Sequence, residues 1–339
     1  MNVQPPASGE RTTFGLMGVA ALLIVNSHLE PLYPRSFMAA DGLLGNLIFF
    51  VLAGYGVALG QLKQRSRLTS FFGRRVWRIY PSLGCAVLMG WATGAVAFPG
   101  ADPLAWLKTL FWPTGYGFIS QIMVFYPVLW WLGGLSLRGV QWAVGVLAVI
   151  WFGIWMLIQQ TPNAANLSLG LLPLKLWWSF FLTAAALGSL LARSPGSGRT
   201  EAGGGTMIGL GILYLGLKFE LALRICTTPA VVSSALLGGL LQGLALGVVA
   251  VLVVRWPDWN AQWGTSGLRR SMEWVGQASL QFYLLHGMVL HWVERLPVPW
   301  PVRILLVVGI TAVLSGVLVA LLRRWPVPWT SAGRESCKS

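Results

Sequence analysis

A chain of 339 residues that is 55% apolar and only 10% charged, with a formal net charge of +14, does not carry enough charge to cover a water-facing surface of its own. This composition excludes an ordinary soluble domain. Long unbroken apolar runs, in place of alternating ten-residue segments, exclude a membrane β-barrel. The fold class that remains is all-α, a polytopic membrane helix bundle, because a backbone crossing lipid must satisfy its own hydrogen bonds.

Apolar runs long enough to span, or nearly so, are predicted at 14–30, 43–61, 79–98, 115–133, 139–158, 171–192, 206–224, 231–254, 274–293 and 301–322, about ten in all. The 19 Trp suit the two membrane–water interfaces, where an indole keeps its ring in apolar surroundings and its N–H wet. The first run is read as a span and not as a cleavable signal, since it ends in Asn26, Ser27 and His28 and no small-residue cleavage site follows. A histidine at that depth can take and return a proton near neutral pH, as a general base acting on a hydroxyl must. The same position also suits a helix-end histidine lying at the interface.

The second span, with Ala53, Gly54, Gly56, Ala58 and Gly60, reads as a close-packing face. The third is entered through FFGRRVWRIYP, in which Arg74 and Arg78 share a helix face and Arg75 stands beside them. Arginine forks grip phosphate oxygens in pairs, so a phosphate-rich ligand could be held here. Ordinary positive flanking of a span would account for the same residues without a ligand. In the seventh span Lys218 and Glu220 are a possible intramembrane site, with snorkelling of Lys218 as the plainer reading. In the ninth, Ser279, Tyr283 and His286 align along one face, and a polar stripe in an apolar span turns toward the bundle interior or a cavity. Interhelical packing explains Ser279 and Tyr283 well, whereas an imidazole without a partner is expensive in lipid. His291 and Glu294 do not make a metal site. The three cysteines, Cys85, Cys226 and Cys337, show neither a disulfide framework nor ligand spacing, so no metal is expected.

Basic residues set the predicted orientation. With both termini cytoplasmic, 17 of the 24 Lys and Arg fall on inside segments and seven on outside ones. The expected location is therefore a plasma (inner) membrane, and the excess charge is explained by anchoring against membrane lipid of the anionic inner leaflet, with no nucleic-acid partner needed. Residues 193–205, RSPGSGRTEAGGG, read as a flexible cytoplasmic loop within a single domain over 1–339, and 325–339 as a cytoplasmic tail.

Taken in order, these motifs resemble integral membrane acyltransferase family 3, whose members modify cell-surface sugars. FFVLAGYG at 49–56 is similar to the family's FFxLSGF, GRRVWRIYP at 73–81 to its RRxxRIxP, GFISQIMVFYP at 117–127 to its FYxxxP stretch, and SLQFYLLHG at 279–287 to its YLxH stretch. The resemblance covers nearly the whole chain. It implies ten core helices and transfer of an acyl group, usually acetyl, from acyl-CoA to a hydroxyl of a surface polysaccharide or glycolipid. His28 falls on the family's catalytic histidine, and Arg74, Arg75 and Arg78 on its basic motif, expected to hold the coenzyme's phosphates. His286 and Tyr283 would line the site. Three positions depart from the pattern: Met17, on the His28 face three turns earlier, stands where an arginine is common; Ile122 replaces an acid, with Gln121 beside it; and Ala53 replaces a serine. The departures keep two other readings open, a transporter or flippase of a lipid-linked or acidic solute, and an inactive scaffold.

Overall fold

The computed structural model describes residues 8–39, 42–96, 100, 102, 103, 105, 109, 116–160, 172–193, 209, 213, 231–262 and 266–323. Among them every regular element is helical: α1 (Ser8–His28), α2 (Gly42–Lys63), α3 (Leu68–Ala92), α4 (Gly117–Gly133), α5 (Leu137–Gln160), α6 (Leu172–Leu191), α7 (Val231–Gln262), α8 (Gly267–Gln277), α9 (Ser279–Val293) and α10 (Trp300–Arg323). Two short 3-10 segments, Glu30–Leu32 and Ser36–Ala39, connect α1 to α2. The all-α reading holds.

Among the described residues, four stretches are long and apolar enough to cross a membrane unaided, Gly42–Lys63, Leu137–Met156, Gly239–Asp258 and Trp300–Leu322. Thr13–His28, Gly117–Gly133 and Trp178–Leu191 are shorter apolar helices. Apart from Gly209 and Leu213, the run predicted at 206–224, with Lys218 and Glu220, lies outside the described residues, as do the loop at 193–205 beyond Arg193, Cys226, Cys337 and the tail. Two predicted spans differ in kind. The run at 274–293 is broken at Ala278, so that its first residues belong to α8 and Ser279 opens α9. An apolar count cannot see this, because Trp274, Val275 and Gly276 keep the run apolar across the break. The third helix begins at Leu68, eleven residues before the predicted run, so Arg74, Arg75 and Arg78 lie inside its body. Pro81 sits within α3 and removes the N–H that would bond the Trp77 carbonyl.

The chain forms two compact units. The first comprises Met1–Thr13, Asn46–Arg65 and Val128–Gly264. There α6 packs along α5 and α7. Its core is aromatic: Phe50 stacks on Phe181 at 4.7 Å, and Trp151 meets Phe180 at 4.9 Å. Glycine makes the tightest approach. A Cβ on Gly54 would collide with the Ala185 carbonyl, and one on Gly188 with that of Val51, so α2 and α6 meet backbone to backbone. Only Gly54, of the five small residues singled out in the second span, is a glycine at this contact; Gly56 and Gly60 face open space. Ser189 donates to the Gly54 carbonyl at 3.2 Å, and Arg193 closes the end of the layer by donating to the carbonyls of Ser189, Leu132 and Gly133 at 2.6, 3.1 and 2.8 Å. Helix carbonyls without intrahelical partners are satisfied in this way.

The second unit comprises Phe14–Gly45, Ser66–Pro127 and Thr265–Ser339. In it α9 lies against α10 and α3. Residues three or four apart are buried together, Leu16, Ala20 and Ile24 on α1, Leu83 and Val87 on α3, and Phe282, Leu285 and Val289 on α9, which is the helical period of a core-facing stripe. The amphipathic α8, N-capped by the Ser266 hydroxyl, touches α1 so closely that a Cβ on Gly18 would meet the Met272 carbonyl and one on Gly276 that of Phe14.

Candidate active site

The two histidines singled out on different helices come together in the second unit. His28, the last residue of α1, and His286, in the middle of α9, have ring centroids 4.9 Å apart with planes tilted by 44°. Their environments differ: His286 is 6% exposed, whereas His28 is exposed. The buried ring has a defined tautomer. Its Nδ1 lies 2.6 Å from the Tyr283 carbonyl oxygen, and since a carbonyl only accepts, Nδ1 carries the hydrogen and donates it. In the neutral ring Nε2 is then the lone-pair acceptor.

Aromatic rings form one wall of this place. Tyr283 meets His286 at 5.8 Å, Phe118 at 5.5 Å and Tyr116 at 6.4 Å. The Tyr116 hydroxyl donates to the Leu284 carbonyl at 3.3 Å. Beyond His28 the chain is clasped: the Asn26 amide donates to the Met38 carbonyl at 3.0 Å and accepts from the Tyr33 hydroxyl, while Tyr33 rests against Trp300 at 5.8 Å. Burial pushes the Tyr33 phenol above its ordinary value, so it remains a donor across the physiological range. His291 does not join the pair. Its Nε2 accepts from Arg295 at 2.8 Å, and its Nδ1 is 3.8 Å from the Glu294 carboxylate.

The arginines lie on α3 in the same unit. Arg74 and Arg78 are exposed, and no carboxylate pairs with Arg74, Arg75 or Arg78 among the described residues. Arg75 is turned onto Phe71 and Tyr126. The helix directions follow from three cross-links: Gln281 to Ser82 at 2.9 Å, Tyr116 to Leu284, and Arg75 over Tyr126. With Ser82 and Gln281 level, a rise of about 1.5 Å per residue puts Leu284, and so Tyr116, about 4.5 Å up a parallel α9. Tyr126, ten residues down an antiparallel α4, then lies about 10 Å below Ser82, which is also the level of Arg75. Reversing α9 leaves Tyr126 and Arg75 about 9 Å or more out of register, so α3 and α9 run parallel. By the same measure His286 stands about 13 Å above Arg78 and about 20 Å above Arg74 along the helices.

A family model described as an acyltransferase domain matches residues 15–322. The chain belongs to this acyltransferase family. It is an α-helical membrane acyltransferase, and the resemblance read from its motifs, to family 3, is the match found. No curated protein and no solved structure matches.

In this acyltransferase the divergent positions are apolar or lack charge: Ile122 and Gln121 are buried, Ala53 and Met17 half-buried. Among the described residues no three His, Cys, Asp or Glu side chains gather as metal ligands would. Sequence reasoning missed Tyr116, Phe118, Ser82 and Gln281. None is unusual for its span, and each acquires its place only when α3, α4 and α9 are set side by side.

Proposed function

We propose that the protein transfers an acyl group, acetyl in the simplest case, from acyl-CoA to a hydroxyl of a cell-surface polysaccharide or glycolipid. The observation that carries this reading is the exposed His28 ring set against the buried His286 ring, with an arginine face on the adjoining helix of the same unit that pairs with no carboxylate among the described residues. A hydroxyl needs a base to become a competent nucleophile, and His28 is the imidazole open to an incoming group. His28 takes the hydroxyl proton as the oxygen attacks the thioester carbonyl. The C–S bond breaks, the same proton passes from the imidazolium to the departing thiolate, and the products are an ester and free coenzyme A. His286, held as its Nδ1–H tautomer by the Tyr283 carbonyl, offers Nε2 to orient or polarise the His28 ring. Tyr283 supplies the aromatic wall against which the reacting group lies.

The arginine face suits the other end of the donor. Phosphates are bound by guanidinium groups free of competing carboxylates, and among the described residues Arg74 and Arg78 meet that condition. The separation along parallel helices, about 13 to 20 Å, calls for a ligand whose charged end and reactive end are joined by a long thin arm. Coenzyme A is such a molecule. By the asymmetry of basic residues the arginine end faces the cytoplasm, so the donor enters from inside and the acceptor is modified from outside. The test is transfer in oriented proteoliposomes, with labelled acetyl-CoA on one side and a hydroxyl-bearing glycolipid on the other. Product with the donor on the arginine side supports the reading. Solute movement without any transfer would instead mark a transporter, and product that requires both substrates on the cytoplasmic side would overturn the crossed arrangement.

A further inference from the structure

One tyrosine of α4 touches the arginine face. Tyr126 and Phe71 are both buried, at 7% and 5% exposure, and meet edge to face at 84° and 5.8 Å. The Arg75 guanidinium carbon lies 5.2 Å from the Tyr126 ring centroid and 5.3 Å from that of Phe71. Arg78, one turn on along the same helix, is exposed on the neighbouring position of that face. A guanidinium is planar: when its central carbon is held over aromatic faces, its N–H edges still point outward and can bond oxygen. An unrestrained arginine must give up rotamer freedom each time it binds, and one already held by rings has given it up in the folded protein.

We infer that Tyr126 is a positioning residue for the phosphate-binding face, its ring fixing the Arg75 guanidinium so that Arg75 and Arg78 present their N–H edges as one pre-ordered fork to the nucleotide end of the donor. This rests on the reading of α3 as the coenzyme A site. The ring does the work and the hydroxyl does not, which separates the device from a simple polar contact.

The experiment is calorimetric titration of coenzyme A into the full-length protein in nanodiscs, paired with steady-state transfer from acetyl-CoA and from S-acetylpantetheine, which has the thioester and no phosphates. Tyr126→Phe keeps the ring and binds within about twofold of the parent. Tyr126→Leu loses the ring and binds about tenfold more weakly, the scale of one desolvated cation–π contact. The Tyr126→Leu and Arg75→Ala losses are not additive in the double variant, because both remove the same element. KM for acetyl-CoA rises in Tyr126→Leu with kcat little changed, and turnover of S-acetylpantetheine is unaffected. Arg75→Lys, which keeps the charge without the planar fork, is also weakened, and it supplies the answer if Tyr126→Leu does not fold. Parent-like binding by Tyr126→Leu or by Arg75→Lys, additive losses, or an equal fall with S-acetylpantetheine would each overturn the proposal. If the parent protein itself binds no coenzyme A, the donor reading fails first and the proposal goes with it.

Discussion

The two units handle polar groups in opposite ways. In the first, Ser189 and Arg193 aim at main-chain carbonyls, and the closest helix approach is made by Gly54 and Gly188 against backbone. These two side chains spend their hydrogen-bonding groups on nearby main-chain carbonyls. In the second, His28 faces His286, Arg74 and Arg78 are exposed with no carboxylate paired to them among the described residues, and Arg75 is held by rings. These are the groups to which the proposed function gives a ligand. In apolar helices an ionisable group is expensive, so where it is not consumed by structure its presence is informative. Polarity within a span does not by itself indicate function; what the polar atom bonds to makes the distinction.

The largest effect expected from this contrast is at His28. His28→Ala lowers acyl transfer by about 10²- to 10⁴-fold, the range of general acid–base catalysis, while insertion and thermal unfolding stay parent-like. His28→Gln does no better, because an amide bonds hydrogen but does not carry the proton. Near-normal turnover in both variants would remove His28 as the base and pass the role to His286.

Next comes the arginine face. Neutralising Arg74 and Arg78 together weakens coenzyme A binding by about 10- to 100-fold if the pair makes desolvated phosphate contacts, and hardly at all if it only anchors the leaflet. Titration calorimetry at two salt concentrations separates the two, since leaflet anchoring is screened more strongly.

In the first unit the same measurements should read stability in place of chemistry. Gly54→Leu forces side-chain atoms into the Ala185 carbonyl and costs about 1–3 kcal/mol or more, so thermal unfolding shifts downward. Surviving protein keeps its parent KM for donor and acceptor. A selective change in KM with unaltered melting would place part of the site in this unit and erase the contrast. The smallest effect belongs to Arg193→Gln, which gives up charge-assisted bonds to three carbonyls and destabilises by about 1–3 kcal/mol with no change in substrate affinity.

Much of this was legible without coordinates. Composition and unbroken apolar runs determined an all-helical membrane protein, because the lipid solvent leaves the backbone no other way to bond. The order of motifs determined the family, and spacing placed Arg74 with Arg78, and Tyr283 with His286, because a helix repeats every 3.6 residues. Periodicity acts within one helix and has nothing to say between helices. It could not bring His28 to His286 across 258 positions, break the ninth run at Ala278, turn Arg75 onto Tyr126, or pick Gly54 from five small residues. Those outcomes depend on which faces of α1, α3, α4 and α9 meet in the second unit, which faces of α2 and α6 meet in the first, and in what direction the helices run. Packing between distant segments decides that, and only the tertiary structure records it.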